Sequence, residues 1–251
     1  RKRLGIDNRP LILSFGGSLG ARRINEACEG LIKWHSGSGK FYHIHGTGKV
    51  GYETMLKNLE GTKLKDEIDI REYISDMDVC MAAADLIICR AGAITLGELQ
   101  ACGKPSILIP SPYVAENHQF HNAKTLENIG AAKIIEEKDL TSDKLIEMVE
   151  GLIENKPRLE EMAQKAKKSA ITDANERIYN IIMKYTKKET SYSVITQLPV
   201  FVSRFVFQYD KIESLSRLLC KLIVLLRQSV SKCFQGSRPN IIIVTFIHFI
   251  W

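Results

Sequence analysis

The sequence predicts an α/β fold, a parallel sheet with helices on both faces, over most of its 251 residues. Three observations predict it. Short, continuously apolar runs such as Leu86-Ile87-Ile88-Cys89 are bounded by polar residues, the pattern of strands buried on both faces. These runs alternate along the chain with longer segments whose apolar residues recur at helical spacing. Small-residue turns, Gly16-Gly17-Ser18-Leu19-Gly20-Ala21 and Arg90-Ala91-Gly92-Ala93, follow two of the runs and lead into helices.

A charged lead-in over residues 1–9 ends at Pro10. Residues 11–15 (Leu-Ile-Leu-Ser-Phe) form the first expected strand, and residues 22–34 a helix with Ile24, Ala27, Cys28, Leu31 and Ile32 on one face. Gly37-Ser38-Gly39 turns the chain into a second strand at 41–45, and Gly46-Thr47-Gly48 turns it out again. A helix over 51–59, a strand over 68–72 and a short helix over 77–84 precede the central strand, 86–89. The next helix is expected to begin near Thr95. A strand over 106–109 stands between Pro105 and Pro110, followed by a helix over 117–129 and a last short strand over 132–135. Helices are expected over 142–154, 157–170 and 174–184. In such sheets ligands bind beyond the carboxyl ends of the strands. The turns after the strands, with Ile74 and the region 112–122, therefore gather at one edge.

Net charge is +6. Residues 1–185 hold 26 Lys/Arg against 26 Asp/Glu, so the excess belongs to residues 186–251, with 9 against 3. The globular part therefore gives no electrostatic case for nucleic acid. Six cysteines are scattered without a C-x-x-C pair, which points to reduced thiols, a cytosolic setting and no structural zinc. No signal peptide is visible, and a chain opening on Arg1 points to a piece of a longer protein.

Four stretches carry candidate chemistry. Gly16, Gly17, Ser18 and Gly20 form a strand-to-helix loop whose backbone N–H groups suit a diphosphate, with Ser18 adding a hydroxyl. The loop lacks the Gly-Lys-Ser/Thr ending of a Walker A motif and the G-x-G-x-x-G of a dinucleotide loop. The second stretch, Ala93-Ile94-Thr95 with Glu98 one turn on, offers a helix start and a carboxylate. It can also be read as a Thr-x-x-Glu capping box, satisfying only the helix itself. Asp76-Met77-Asp78 invites a metal, but acidic residues there also suit a helix start, and nothing nearby completes a metal shell. Gln119 and Asn122 lie three apart on one helix face, with amides suited to sugar hydroxyls or to a plain polar surface.

Four motifs, GGSLGAR at 16–22, EYISDM at 72–77, CRAGAITLGE at 89–98 and ENHQFHNA at 116–123, agree in order and spacing with one family. The chain over residues 1–185 resembles the family 28 glycosyltransferases, in particular those that add N-acetylglucosamine to a lipid-linked muramyl-pentapeptide in peptidoglycan synthesis. The resemblance implies the C-terminal, Rossmann-like half of a GT-B fold, binding UDP-N-acetylglucosamine without a cofactor or an obligatory metal. It implies that Ser18 and the loop glycines hold the diphosphate, and that Ile74 lines the uracil pocket through its backbone. Ala93, Ile94 and Thr95 would cover the α-phosphate, Glu98 accept the ribose hydroxyls, and Gln119 and Asn122 hold the sugar.

The expected organisation is the end of an interdomain linker over 1–9, a nucleotide-sugar domain over 10–185 and a basic, apolar tail over 186–251. The acceptor domain and its catalytic base would lie upstream, leaving this chain inactive alone. A cytoplasmic location, peripheral to the inner face of the membrane, goes with that reading. A glycolipid synthase, the donor subunit of a two-chain transferase and a non-catalytic UDP-binding module share the same donor half. In the tail, Ile212, Leu215, Leu218, Leu219, Leu222 and Leu226 recur at helical spacing among basic residues. They suit either a helix on an anionic membrane or a segment foreign to the domain.

Overall fold

A computed structural model of the chain describes residues 1–185; the tail expectations fall outside them. The chain divides into two compact units, Arg1–Thr172 and Asp173–Trp251. In order, the first unit contains β1 (Leu11–Phe15), α1 (Arg22–His35), β2 (Tyr42–Gly46), α2 (Tyr52–Asn58), β3 (Ile68–Arg71), α3 (Met77–Ala83) and β4 (Leu86–Cys89). There follow α4 (Ala93–Cys102), β5 (Ser106–Leu108), α5 (His118–Asn128), β6 (Ala132–Ile134), α6 (Ser142–Ile153) and α7 (Lys156–Lys168). Helix α8 (Ala174–Tyr185) belongs to the second unit.

The six strands form one sheet in the order β3-β2-β1-β4-β5-β6, every pair parallel. This is the Rossmann order, and the direction of strand succession reverses between β1 and β4. Phe15 is in register with Gly46 on one side and Cys89 on the other, so the three strands end level. Their following loops open at one edge, beside a crevice at the reversal.

Strand β1 shows how the sequence builds both faces. Leu11, Leu13 and Phe15 join a buried cluster with Leu96 and Leu99 of α4 and Leu126 of α5. Ile12 points the other way, into a cluster with Ile24, Leu31, Leu145 and Val149 of α1 and α6. Alternate side chains of a strand face opposite ways, so an all-apolar strand supplies two cores. Each fully buried Leu or Ile contributes about 1.5–3 kcal/mol relative to exposure.

Helix α1 buries Ile24, Ala27, Cys28, Leu31, Ile32 and His35, the expected stripe extended by one turn. His35 Nε2 lies 2.6 Å from the Phe41 carbonyl and the two rings stack at 3.7 Å, fixing the return into β2. The lead-in is tied to the opposite edge of the sheet. Arg1 Nη1 reaches Asp85 Oδ2 at 2.9 Å, and Arg9 lies over the Tyr42 ring while pairing with Glu67 at 3.0 Å.

Most elements fall within a residue or two of expectation, the usual spread of frayed ends. The helix expected near Thr95 is the informative difference, because it begins at Ala93 with Gly92 as N-cap. Among the described residues no helix is long and apolar enough to cross a membrane.

Candidate functional site

The loop between β1 and α1 is shaped by its glycines, through backbone conformation at Gly17 and close contact at Gly20. Gly17 and Gly20 adopt φ of 98° and 79°, and Gly20 N donates to Gly17 O at 3.0 Å. A Cβ on Gly20 would overlap the Thr47 carbonyl, and one on Gly48 would overlap Gly20 N. The loops after β1 and β2 thus touch backbone to backbone. Asn25 of α1, buried, secures the contact by donating from Nδ2 to Thr47 O at 2.9 Å. Gly17 and Ser18 remain exposed above it, with α1 leading away.

Across the crevice, α4 starts immediately after β4. Gly92 caps it in extended conformation (φ −67°, ψ 143°), and no side chain bonds the helix end. Leu96 N donates to Gly92 O at 3.0 Å, which leaves the N–H groups of Ala93, Ile94 and Thr95 without helical acceptors. The capping-box reading of Thr95 and Glu98 is therefore overturned. Thr95 is the third residue of the helix and Glu98 the sixth, so neither stands where a box requires. The physical reason is that β4 ends at Cys89 and glycine makes the turn two residues early.

Glu98 keeps an exposed side chain, yet desolvation by the protein around it pushes its carboxyl above the ordinary value. Its charge, together with burial, raises the Cys89 thiol at the end of β4, which places the carboxylate near that strand end. An exposed carboxylate, partly desolvated and without a cationic partner among the described residues, is placed to accept from a ligand's hydroxyls.

On the α5 side, Gln119 Oε1 accepts from Ser111 N at 3.0 Å, which fixes the amide and leaves its NH2 available. Asn122 is half-buried one turn along. The helix is entered through Glu116 and Asn117 at φ of 50° and 53°, two consecutive non-glycine residues in the left-handed region. Asn adopts this region readily, so the cost of about 1–2 kcal/mol falls on Glu116.

On the far side, Ile74 follows β3. The residue is buried, 5% exposed, and its side chain packs over Gly46. Arg71 closes this loop, with Nη1 2.6 Å from Asp76 Oδ1 and Nη2 2.6 Å from Asp69 Oδ2. The Asp76 carboxylate thus neither caps α3 nor stands free for a metal; it neutralises Arg71. Arg90, in the turn after β4, pairs with the buried Glu137 and donates to the carbonyls of Ile109 and Pro110.

Beneath the site, Ser14 of β1 lies 2.7 Å from His43 Nε2 and 2.6 Å from His45 Nδ1, all buried. With Cys28 these histidines form the one group among the described residues spaced for a metal. The Ser14 hydroxyl stands within hydrogen-bonding distance of both rings, while the other ring nitrogens, His43 Nδ1 and His45 Nε2, are buried without a partner.

Sequence reasoning placed the two loops, the helix start and the Gln119 and Asn122 pair at one edge, and the fold brings them there. It missed Asn25, Arg71 and the Arg90–Glu137 pair. Asn25 had a signal, a polar residue within the apolar stripe of α1; the others are paired through tertiary structure.

A Rossmann-like sheet with five loops converging beside its strand reversal defines a ligand-binding α/β domain. The model of the glycosyltransferase family 28 C-terminal domain matches residues 11–178, and the chain belongs to that family. It is 48% identical over 192 residues to the UDP-N-acetylglucosamine–N-acetylmuramyl-(pentapeptide) pyrophosphoryl-undecaprenol N-acetylglucosamine transferase of Acetivibrio thermocellus, covering 76% of this chain and 52% of that one. The protein of the same name from Caldanaerobacter subterraneus is 45% identical, covering 74% of this chain and 51% of that one. Among solved structures, Acinetobacter baumannii MurG matches with a TM-score of 0.63 at 34% identity, over 71% of this chain and 53% of that one. The chain therefore has the fold of the C-terminal half of a GT-B glycosyltransferase, and spans about half the length of the curated relatives it matches.

Proposed function

We propose that this chain is the donor-binding half of an inverting glycosyltransferase that carries N-acetylglucosamine from UDP to a lipid-linked muramyl-pentapeptide, the step that makes lipid II. The observation that carries the reading is the start of α4, which no side chain caps, following β4 next to the glycine loop that follows β1. Two sets of free N–H groups and two helix dipoles converge where a diphosphate would lie. In this reading Gly16, Gly17, Ser18 and Gly20 cradle the diphosphate, and the amides of Ala93, Ile94 and Thr95 cover the α-phosphate. Glu98 accepts from the ribose, the Ile74 main chain borders the uracil, and Gln119 and Asn122 hold the sugar.

The same donors would stabilise charge building on the departing UDP as the acceptor oxygen displaces it at the anomeric carbon. They are already in place and need no reorganisation. The acceptor and the base that deprotonates it belong to an upstream domain, as expected of relatives twice as long. A soluble nucleotide donor and a lipid-linked acceptor would meet at the cytoplasmic face of the membrane, with the protein bound peripherally.

Calorimetric titration tests the reading. The chain should bind UDP-N-acetylglucosamine and UDP, and bind NAD and ADP-sugars weakly or not at all. Equal or tighter binding of NAD would sink the nucleotide assignment. Sugar transfer by the purified chain alone would refute the need for an upstream half.

A further inference from the structure

Lys49 occupies a position at this edge that neither the fold nor the donor reading accounts for. It follows Gly48, whose φ is +74° and whose absent Cβ would overlap Gly20 N and the Leu19 carbonyl carbon. The Lys49 backbone therefore begins one residue from the loop that cradles the diphosphate. That placement is locked from three sides. Asn25 Nδ2 holds Thr47 O at 2.9 Å, while Thr47 N and Gly48 N donate to the carbonyls of Arg71 and Glu72 at 2.9 and 3.0 Å.

The Lys49 side chain is exposed, and among the described residues it pairs with no carboxylate. Of the other cations near the crevice, Arg90 pairs with the buried Glu137, while Arg22 and Arg23 share the single carboxylate of Glu26 at 3.3 and 2.8 Å and lead away along α1. Backbone amides and helix ends bring only partial charges, about half a unit per helix. A diphosphate brings whole negative charges.

We propose that Lys49 supplies the mobile ammonium that neutralises the donor diphosphate, delivered by the Gly20–Gly48 contact. A lysine on a flexible stem suits this role, since it meets phosphate as a point charge. The proposal rests on the donor reading above and adds to it a charge that the glycine loop lacks.

The test compares UDP with uridine on the whole chain. Lys49→Ala should weaken UDP about tenfold, the scale of one charge-assisted contact at an exposed site. Uridine affinity and the melting temperature should stay as in the parent, because Lys49 touches neither the base nor the core. Lys49→Arg should restore most of the UDP affinity. The dependence of UDP affinity on salt should flatten in Lys49→Ala, as one ion pair is removed. Parent-like UDP binding by Lys49→Ala would overturn the proposal, as would an equal loss for uridine. A parent chain that binds no UDP would instead overturn the donor reading, and the proposal with it.

Discussion

Arg71 Nη1 lies 2.6 Å from Asp76 Oδ1, and this pair spans the loop that holds Ile74. The loop runs from the end of β3 to the start of α3, and Ile74 packs over Gly46 within it. The loop's shape is thus set by this ion pair together with the bonds from Thr47 N and Gly48 N to the carbonyls of Arg71 and Glu72. Asp76→Asn keeps the size of the side chain and removes its charge. About 1 kcal/mol of stability should be lost, since both partners are partly solvated. That corresponds to a melting shift of roughly 2–4 °C. Uridine affinity should fall alongside, and an unchanged uridine titration would detach Ile74 from the base pocket.

The burial of His43 and His45 makes the fold sensitive to acid. Burial lowers the His45 pKa to about 4, and burial with the neighbouring His45 charge holds His43 well below its ordinary range. Both rings are therefore neutral in the fold, whereas the unfolded chain protonates them near pH 6.5. Between pH 6.5 and about 4 the unfolded state binds more protons, so stability falls as pH falls across that window. His45 alone should remove about 2 kcal/mol between pH 7 and 5. Urea titrations at the two pH values measure it, and His45→Gln should flatten the slope. Equal stability at pH 7 and 5 in the parent chain would show that the rings already titrate freely.

The parts of this fold legible in the sequence are those that depend on local pattern. Leu86-Ile87-Ile88-Cys89 could hardly be other than a doubly buried strand, and the alternation of strands with helices fixed a parallel sheet. Strand order and the reversal between β1 and β4 are properties of tertiary packing and carry no local mark. Thr95 and Glu98 show how a local pattern misleads. Their spacing satisfies a capping box, but the end of β4 and the extended Gly92 start the helix two residues earlier. Arg90 and Glu137 are far apart in sequence and meet only when β4 and β6 take their places. The histidines of β2 carry no local mark of the Ser14 hydroxyl that stands beside them in the neighbouring strand.

Two glycines of the first loop separate strain from contact. Gly17 has φ of 98° but open space around its Cβ position, so Gly17→Ala pays only the cost of a left-handed backbone, about 1–2 kcal/mol. Gly20 has φ of 79° and would also drive a methyl group into the Thr47 carbonyl. Gly20→Ala should therefore destabilise by more than about 3 kcal/mol and separate the loops after β1 and β2. Thermal melts of the two variants check the order. A Gly20→Ala protein as stable as Gly17→Ala would mean that the two loops part easily.

Glu98 gives the sharpest test of the site, because its alternative role as a cap has been removed by Gly92. Glu98→Gln disturbs no helix end, and it relieves a carboxylate that the fold already desolvates. Its stability should be unchanged or slightly raised. Thr95→Ala, for the same reason, should escape the loss of about 1 kcal/mol that follows removal of an N-cap side chain. UDP binding should behave quite differently. A charged acceptor becomes an amide with one oxygen, and hydrogen bonds to charged groups are worth about 1.5–3 kcal/mol. UDP affinity should fall roughly tenfold to a hundredfold in Glu98→Gln. In the parent chain, affinity should also weaken as pH drops through the raised pKa of Glu98, at higher pH than an ordinary carboxylate would show. That acid limb should vanish in Glu98→Gln. A folded Glu98→Gln protein that binds UDP as the parent does, with the acid limb intact, would remove Glu98 from the ribose site.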